Sequence, residues 1–376
     1  MKITIIGWYG TETIGDRAIL ASLLKRITSV FPDADIFLGS IYPFFTERTV
    51  LEDAPLWEKL TGRRTEVRVF DSRRHGSLDH HIRLADAVVV GGGPLCDMVS
   101  LYMLEYALAR ARQLHKKTAL LGCGIGPLTQ KRFIASAREI VKNADAAVFR
   151  DQSSLDWCAQ WPELRRQDLA YSIDPAVFCA LDYLKRSQAR PGNVVVANLR
   201  QFTDLYKMDA SVSPQAVDQR AVTALERLSG GAEVLLVPMC SFAPGMDDRA
   251  FLNRVAHRLP GRASVANLPP TLEETMQLFL DARFCIGMRF HSVVLQTLLN
   301  GSNYILDYTH PEHGKIAGFI RALNAASFYQ ARTVNLQRAE GFEQALERLN
   351  LGERFIPPSN FGEEEQRYLD ALKMIG

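Results

Sequence analysis

No run of apolar residues in this 376-residue chain approaches the roughly 20 that a membrane-spanning helix needs. Neither sign of charge is in excess: 44 basic residues face 42 acidic ones, a net charge of +2, and they are spread along the chain. A nucleic-acid binder would show a basic stripe, so nucleic acid is not an expected partner. The six cysteines (Cys96, Cys123, Cys158, Cys179, Cys240, Cys285) stand far apart without a CxxC pair or any metal spacing. That argues against a disulfide framework and a structural zinc, and for buried, reduced thiols. The GxGxxG dinucleotide fingerprint and the Walker lysine are also missing, which removes the usual sequence grounds for a nicotinamide enzyme or a P-loop ATPase. The opening "MKITIIG" enters a strand pattern at once, without the apolar region and small-residue cleavage site of a signal peptide. The chain is expected in the cytoplasm.

What is present is a long alternation of short apolar runs and helical patterns. "KITIIG", "DIFLGS", "EVRVFD", "AVVVGGG", "TALLGCGIG" and "AAVFRD" read as strands, several of them apolar on both faces. Strands of a covered parallel sheet have that composition. The alternation weakens over residues 180–193, where Pro191 and Gly192 mark a linker, and resumes with "VVVANLR", "EVLLVPM", "FCIGM" and "NYILDY". Two Rossmann-like α/β domains facing across a cleft are expected. The first covers 1–180, on the probable acceptor side, and the second 193–330, on the probable donor side; helices follow over 331–376.

Parallel sheets collect function at the carboxyl ends of their strands. Four such ends in the first half are rich in glycine or charge. "GWYGTETIGDRAIL" offers Gly10, Gly15 and Asp16; "VVVGGGPLCD" offers Gly92, Gly93 and Asp97; "LLGCGIGPL" offers Gly124 and Gly126; "AAVFRDQSSLDW" offers Arg150 and Asp151. Glycines permit close approach of a ligand to the backbone, and equally they permit tight turns. Three glycine-rich ends in one half-chain suggest a lined cleft, which "YSIDPAVF" extends with Asp174. In the second half, "GMRFHSVVLQTLLNG" places Arg289 and His291 between a strand and a helix, and "LDYTHPEHGKIAGF" sends Lys315 after the next strand. His75, His80 and His81 lie in a basic polar segment and are expected to be solvated rather than metal-bound. The arginines there, with Arg63 and Arg64, would suit an anionic acceptor such as a diphosphate-linked lipid glycan, or peripheral contact with the inner face of the membrane.

The order "IGDRAIL", "GGGPLCD", "GCGIGPL", "FRDQSSL", "DPAVF", "ANLR", "VPM", "GMRFHSVVLQTLLNG", "LDYTHPEHGKIAGF" resembles the polysaccharide pyruvyl transferase family over roughly residues 3 to 320. The resemblance implies a glycosyltransferase-B-like pair of Rossmann domains. It also implies transfer of pyruvate from phosphoenolpyruvate onto two hydroxyls of a sugar in a cell-surface glycan or its precursor, as a ketal. Carried over by position, it gives Arg150, Arg289 and Lys315 as donor-binding residues and His291 and Lys315 as catalytic ones.

These residue types suit that chemistry. Phosphoenolpyruvate carries a carboxylate and a phosphate, for which arginine forks are apt. Ketal formation needs a proton at C3, and a histidine titrating near neutrality can give it or serve the leaving phosphate. Asp16, Asp151 and Asp174 are each open as the base. No cofactor or metal is called for beyond the donor substrate itself. A nucleotide-sugar-dependent glycosyltransferase of the same architecture, and a non-catalytic glycan-binding homologue, are the competing expectations.

Overall fold

The computed structural model describes residues 1–11, 13–164, 168–242, 246–358 and 361–376. Glu12, within the first glycine turn, lies outside them.

Two parallel sheets account for the fourteen strands among the described residues. In the first are β1 (Lys2–Ile6), β2 (Asp35–Ser40), β3 (Val67–Asp71), β4 (Ala87–Gly91), β5 (Pro94–Leu95), β6 (Lys117–Ile125), β7 (Ala146–Phe149) and β8 (Asp168–Tyr171). Their order is β3-β2-β1-β4-β6-β7-β8, with the short β5 beside β6. In the second are β9 (Val195–Asn198), β10 (Val234–Leu236), β11 (Ala263–Val265), β12 (Phe284–Gly287), β13 (Asn303–Asp307) and β14 (Thr333–Asn335), ordered β11-β10-β9-β12-β13-β14. Both are Rossmann orders, in which the direction of winding reverses beside the first strand of the sheet. The switch point falls between β1 and β4 in one sheet and between β9 and β12 in the other. β4, β7, β9 and β12 are buried along their whole length, which is why they lack the polar-apolar alternation of a half-exposed strand.

The helices needed below are α1 (Ile14–Val30), α2 (Pro43–Thr61), α3 (His75–Leu84), α4 (Leu101–Gln113), α5 (Gln152–Ala159), α6 (Pro175–Leu184), α7 (Phe290–Leu299), α8 (Lys315–Ala322) and α9 (Gly362–Lys373). Local signals set their ends. Pro43 opens α2 and Gly62, at φ 76°, closes it. Asp151 caps α5 by accepting from Ser154 N–H at 2.8 Å.

The chain divides into two compact units, Met1–Glu12 with Asp16–Cys179 and Asn360–Gly376, and Thr13–Gly15 with Ala180–Ser359. The first unit's break at Cys179 lies within one residue of the expected 1–180, but 180–193 is not a free linker: the second unit takes it up from Ala180, inside α6, whose residues are mostly buried. The segment 331–376 is also not one closing element. Its earlier part carries β14 of the second sheet, whereas α9 packs on the first unit, where Tyr368 Oη donates to Ile173 O at 2.8 Å and Glu365 pairs with Arg26 at 2.7 Å. The second unit likewise takes in Thr13–Gly15: Ile14 N–H donates to Met239 O at 3.0 Å, and Thr13 bridges Cys240.

Candidate functional site

In the second unit the switch point brings together the loops after β9 and β12. Asn198, the last residue of β9, ties them: its Nδ2 donates to Val237 O at 2.9 Å and its Oδ1 accepts from Arg289 N–H at 3.2 Å. Arg289 caps α7, which places His291 in that helix's first turn, where backbone N–H groups and the helix dipole favour an anion. The guanidinium of Arg289 is gripped by Asp248, with Nε 2.8 Å from Oδ2 and Nη2 2.6 Å from Oδ1. Asp248 in turn accepts from the backbone N–H groups of Met239 and Cys240, both at 3.1 Å. Burial works against the charge on Arg289, but Cys240 and Asp248 outweigh it and hold the group firmly protonated. The pair therefore fixes the loop after β12 at least as much as it offers a donor.

His291 lies directly against Gly15. A Cβ built on Gly15 would stand 1.8 Å from His291 Nδ1 and 2.3 Å from Cγ, so only glycine leaves room for the ring. Lys315, exposed at the start of α8, holds its Nζ 5.6 Å from the Phe290 ring and 5.7 Å from the Tyr206 ring. Its charge is also felt by Asp307 at the end of β13, whose carboxyl burial nonetheless pushes up to about 6. Arg289, His291 and Lys315 thus gather at one edge of the second sheet. Arg200 and Tyr206 join them, and the sequence reading had singled out neither. Arg200 leaves β9 at the switch point with its guanidinium 4.8 Å from the Tyr206 ring. An arginine two residues past a fully buried strand was a visible signal; that its strand is the central one was not.

Arg150 belongs to the first unit, at the end of β7, with its Nη1 3.3 Å from Asp174 Oδ2 and its Nε 3.9 Å from Asp151 Oδ2. Burial lowers its pKa, but Asp174, Asp151, Cys123 and Asp16 together raise it above the ordinary value. The three carboxylates left open as the base thus have structural duties. Asp174, 2% exposed, pairs with Arg150 and accepts from Ala176 N–H at 2.9 Å; Asp151 caps α5; Asp16 accepts from the Thr11 hydroxyl at 3.4 Å. Asp97 clamps its own loop through Thr129, accepting from N–H at 2.9 Å and Oγ1 at 2.5 Å. Burial pushes the Cys123 thiol beside Arg150 up to about 12, which leaves it inert at neutral pH.

The glycines of the first unit mostly serve packing. A Cβ on Gly93, at φ 74°, would lie 1.7 Å from the Trp8 ring; on Gly92 it would meet Ile19 at 2.5 Å, and on Gly10 the Ser40 hydroxyl at 2.7 Å. Trp8 and Tyr9 therefore occupy the space beside the first switch point, Tyr9 donating to Gly91 O at 2.8 Å. The Cβ position of Gly124 is taken by Arg150 Nε at 2.8 Å, whereas at Gly126 the nearest atoms stand 3.8 Å away. Of the histidines expected to be solvated, His75 and His80 are exposed, and His81 alone departs from the expectation. His81 stacks on Phe70 at 3.9 Å between centroids with Nδ1 2.8 Å from Ser77 O, and burial lowers its pKa; it is a packing residue of α3.

Among solved structures, the fold is similar to that of UDP-GlcNAc 2-epimerases. The enzyme from Rickettsia bellii superposes with a TM-score of 0.59 at 11% identity, covering all of this chain and 95% of its own. That from Neisseria meningitidis, bound to UDP-GlcNAc, gives 0.57 at 9% identity over 99% and 100%. The Methanocaldococcus jannaschii enzyme gives 0.56 at 11% identity over 97% and 98%. At such identities the likeness establishes the fold, a glycosyltransferase-B-like pair of Rossmann-like sheets with helices. No helix among the described residues is long and apolar enough to cross a membrane. A family model for polysaccharide pyruvyl transferases matches residues 14–310, a span that takes in Arg150, Arg200, Asp248, Arg289 and His291 and stops short of Lys315; the chain belongs to the polysaccharide pyruvyl transferase family.

Proposed function

We propose that this enzyme takes the pyruvyl group of phosphoenolpyruvate and closes it as a ketal over two hydroxyls of a sugar in a cell-surface glycan or its precursor, releasing phosphate. The observation that carries this reading is the meeting of His291, Arg289 and Lys315 at the carboxyl edge of the second sheet. His291, in the first turn of α7, gives a proton to C3 of the donor. C2 becomes cationic, and a first sugar hydroxyl adds to it and loses its proton. The second hydroxyl then displaces phosphate from C2, its proton leaving with phosphate or a base. Lys315 and the N-terminal turn of α7 stabilise the charge that develops on the phosphate. Proton donation of this kind contributes typically 10²- to 10⁴-fold to the rate.

An acceptor carried on a lipid fits the surface of the first unit. Phe44 and Leu51, 75% and 79% exposed, lie seven residues apart on α2, and Arg73 covers the neighbouring Tyr42 ring at 4.5 Å. Apolar side chains flanked by arginine suit a membrane interface with anionic headgroups. The reaction then takes place at the cytoplasmic face.

Calorimetry of the full chain with phosphoenolpyruvate, and in parallel with UDP- and GDP-sugars, tests the assignment. Binding of phosphoenolpyruvate, with phosphate release that His291→Ala slows at least 100-fold without loss of donor binding, is the expected result. Binding of a nucleotide sugar alone would move the protein to the glycosyltransferases.

A further inference from the structure

Arg200 faces Arg289 across the second switch point, yet the two arginines are held differently. Arg289 has its carboxylate, Asp248. Arg200 is 4% exposed, and no carboxylate among the described residues pairs with it. Asp218 is near enough to feel its charge but accepts instead from Phe202 N–H at 2.8 Å. The Arg200 guanidinium donates from Nε to Gln201 O at 3.3 Å and lies over the faces of the Tyr206 and Tyr308 rings at 4.8 and 5.4 Å. Lys315 approaches the same Tyr206 ring at 5.7 Å, likewise without a carboxylate partner among the described residues.

A buried cation is normally paired, because desolvation is expensive without a counter-charge. Ring faces attract a guanidinium from above its plane, whereas its N–H donors point outward in the plane, in a fork that matches a carboxylate. The cushion of Tyr206 and Tyr308 therefore holds Arg200 in place while leaving the fork for an anion. Tyr206 reports the same field. Burial would raise its pKa, but Lys315, Arg200 and Arg289 lower it below the ordinary tyrosine value.

We infer that Arg200, with Tyr206 and Lys315, forms a carboxylate seat in the second unit, in which the Arg200 fork receives the carboxylate of the small-molecule donor. The inference rests on the pyruvyl-transfer reading and divides the work between the two arginines: Arg200 anchors the donor, and Arg289 locks the loop that carries His291. The Tyr206 ring, 4.8 Å from the Arg200 guanidinium, orients the fork.

The test is calorimetric titration of wild type, Arg200→Ala, Arg200→Lys and Tyr206→Phe with phosphoenolpyruvate, pyruvate and inorganic phosphate, with thermal unfolding recorded for each variant. The expected result is at least a tenfold loss of phosphoenolpyruvate affinity in Arg200→Ala, with phosphate affinity changed less than twofold. Arg200→Lys keeps the charge without the fork; it should lose several-fold, and it carries the test if the alanine variant unfolds. Unchanged phosphoenolpyruvate binding in both Arg200 variants, or an equal loss for phosphate, overturns the seat while leaving the donor assignment standing. If wild type binds pyruvate but not phosphoenolpyruvate, the donor assignment fails; the seat then stands if Arg200→Ala abolishes pyruvate binding and falls if it does not. Binding of neither carboxylate overturns both.

Discussion

Gly15→Ala adds a single methyl group, and the structure places that methyl 1.8 Å from His291 Nδ1. Unstrained carbon and nitrogen atoms approach to about 3.5 Å, so ring and methyl must part by roughly 1.5 Å. The backbone is poorly placed to yield, since the Ile14 N–H bond to Met239 O and the Thr13–Cys240 bridge pin the chain just before Gly15 and α1 continues after it. The ring is the softer partner and is expected to move. A displacement of about 1 Å at a catalytic group can lower the rate about 100-fold. The stability change should be small, because alanine is favoured over glycine in a helix by about 0.5–1 kcal/mol, which offsets part of the strain. The expected outcome is therefore a kcat for phosphate release reduced at least 100-fold with a Tm within a few degrees of wild type. The His291 Cε1–H resonance, followed by NMR, should shift independently of any assumption about substrate. Wild-type kcat together with an unmoved resonance would refute the steric argument. Lost activity with an unmoved resonance would refute the claim that ring position is the cause.

Other predictions follow from burial and charge. Asp307 has a carboxyl pKa near 6 because burial penalises its anion. A carboxyl pKa raised on folding adds stability below its unfolded value of about 4, and that stability is lost as pH rises through 6, in total about 3 kcal/mol. Asp307→Asn keeps an acceptor for Thr309, and thermal unfolding should show it flattening the pH dependence between 4 and 6.5 and melting above wild type at pH 7.5; a lower melting point there would contradict the sign. Arg150→Ala leaves Asp174, 2% exposed, without its cation and should cost about 3–5 kcal/mol in urea unfolding, with Arg150→Lys recovering a large part; a cost under about 1 kcal/mol would show that the pair is not structural. Phe44→Ser with Leu51→Ser should reduce co-sedimentation with vesicles containing anionic lipid several-fold while leaving phosphoenolpyruvate affinity unchanged; equal sedimentation of both proteins would place the lipid contact elsewhere.

What the sequence disclosed, and what it concealed, divides by range. Both sheets were legible because their central strands are apolar on both faces and bounded by glycine or aspartate, a signal carried within six or seven residues. β8, β11 and β14 were not read. Each is three or four residues long, stands at a sheet edge and is partly exposed, so none has the length or the apolar content to stand out. β5, with two residues, is shorter still. The same limit applies to the site. Arg289, His291 and Lys315 were found because they recur in an ordered set of local motifs, but the meaning of each depends on distant partners. Asp248, which immobilises Arg289, is 41 residues upstream. Gly93 looked like a place for a ligand until Trp8, 85 positions earlier, filled the space beside it. Arg200 is the sharpest case. At the end of an outer strand it would be an ordinary surface cation, and it gains weight only because β9 is flanked by both β10 and β12. Strand order is a property of the folded sheet, and no local pattern around residue 200 encodes it. The charge left over once Asp248 is assigned to Arg289 becomes visible only when every carboxylate around the switch point has been accounted for. On the proposed reading, that charge at Arg200, rather than the paired charge at Arg289, meets the carboxylate of the donor.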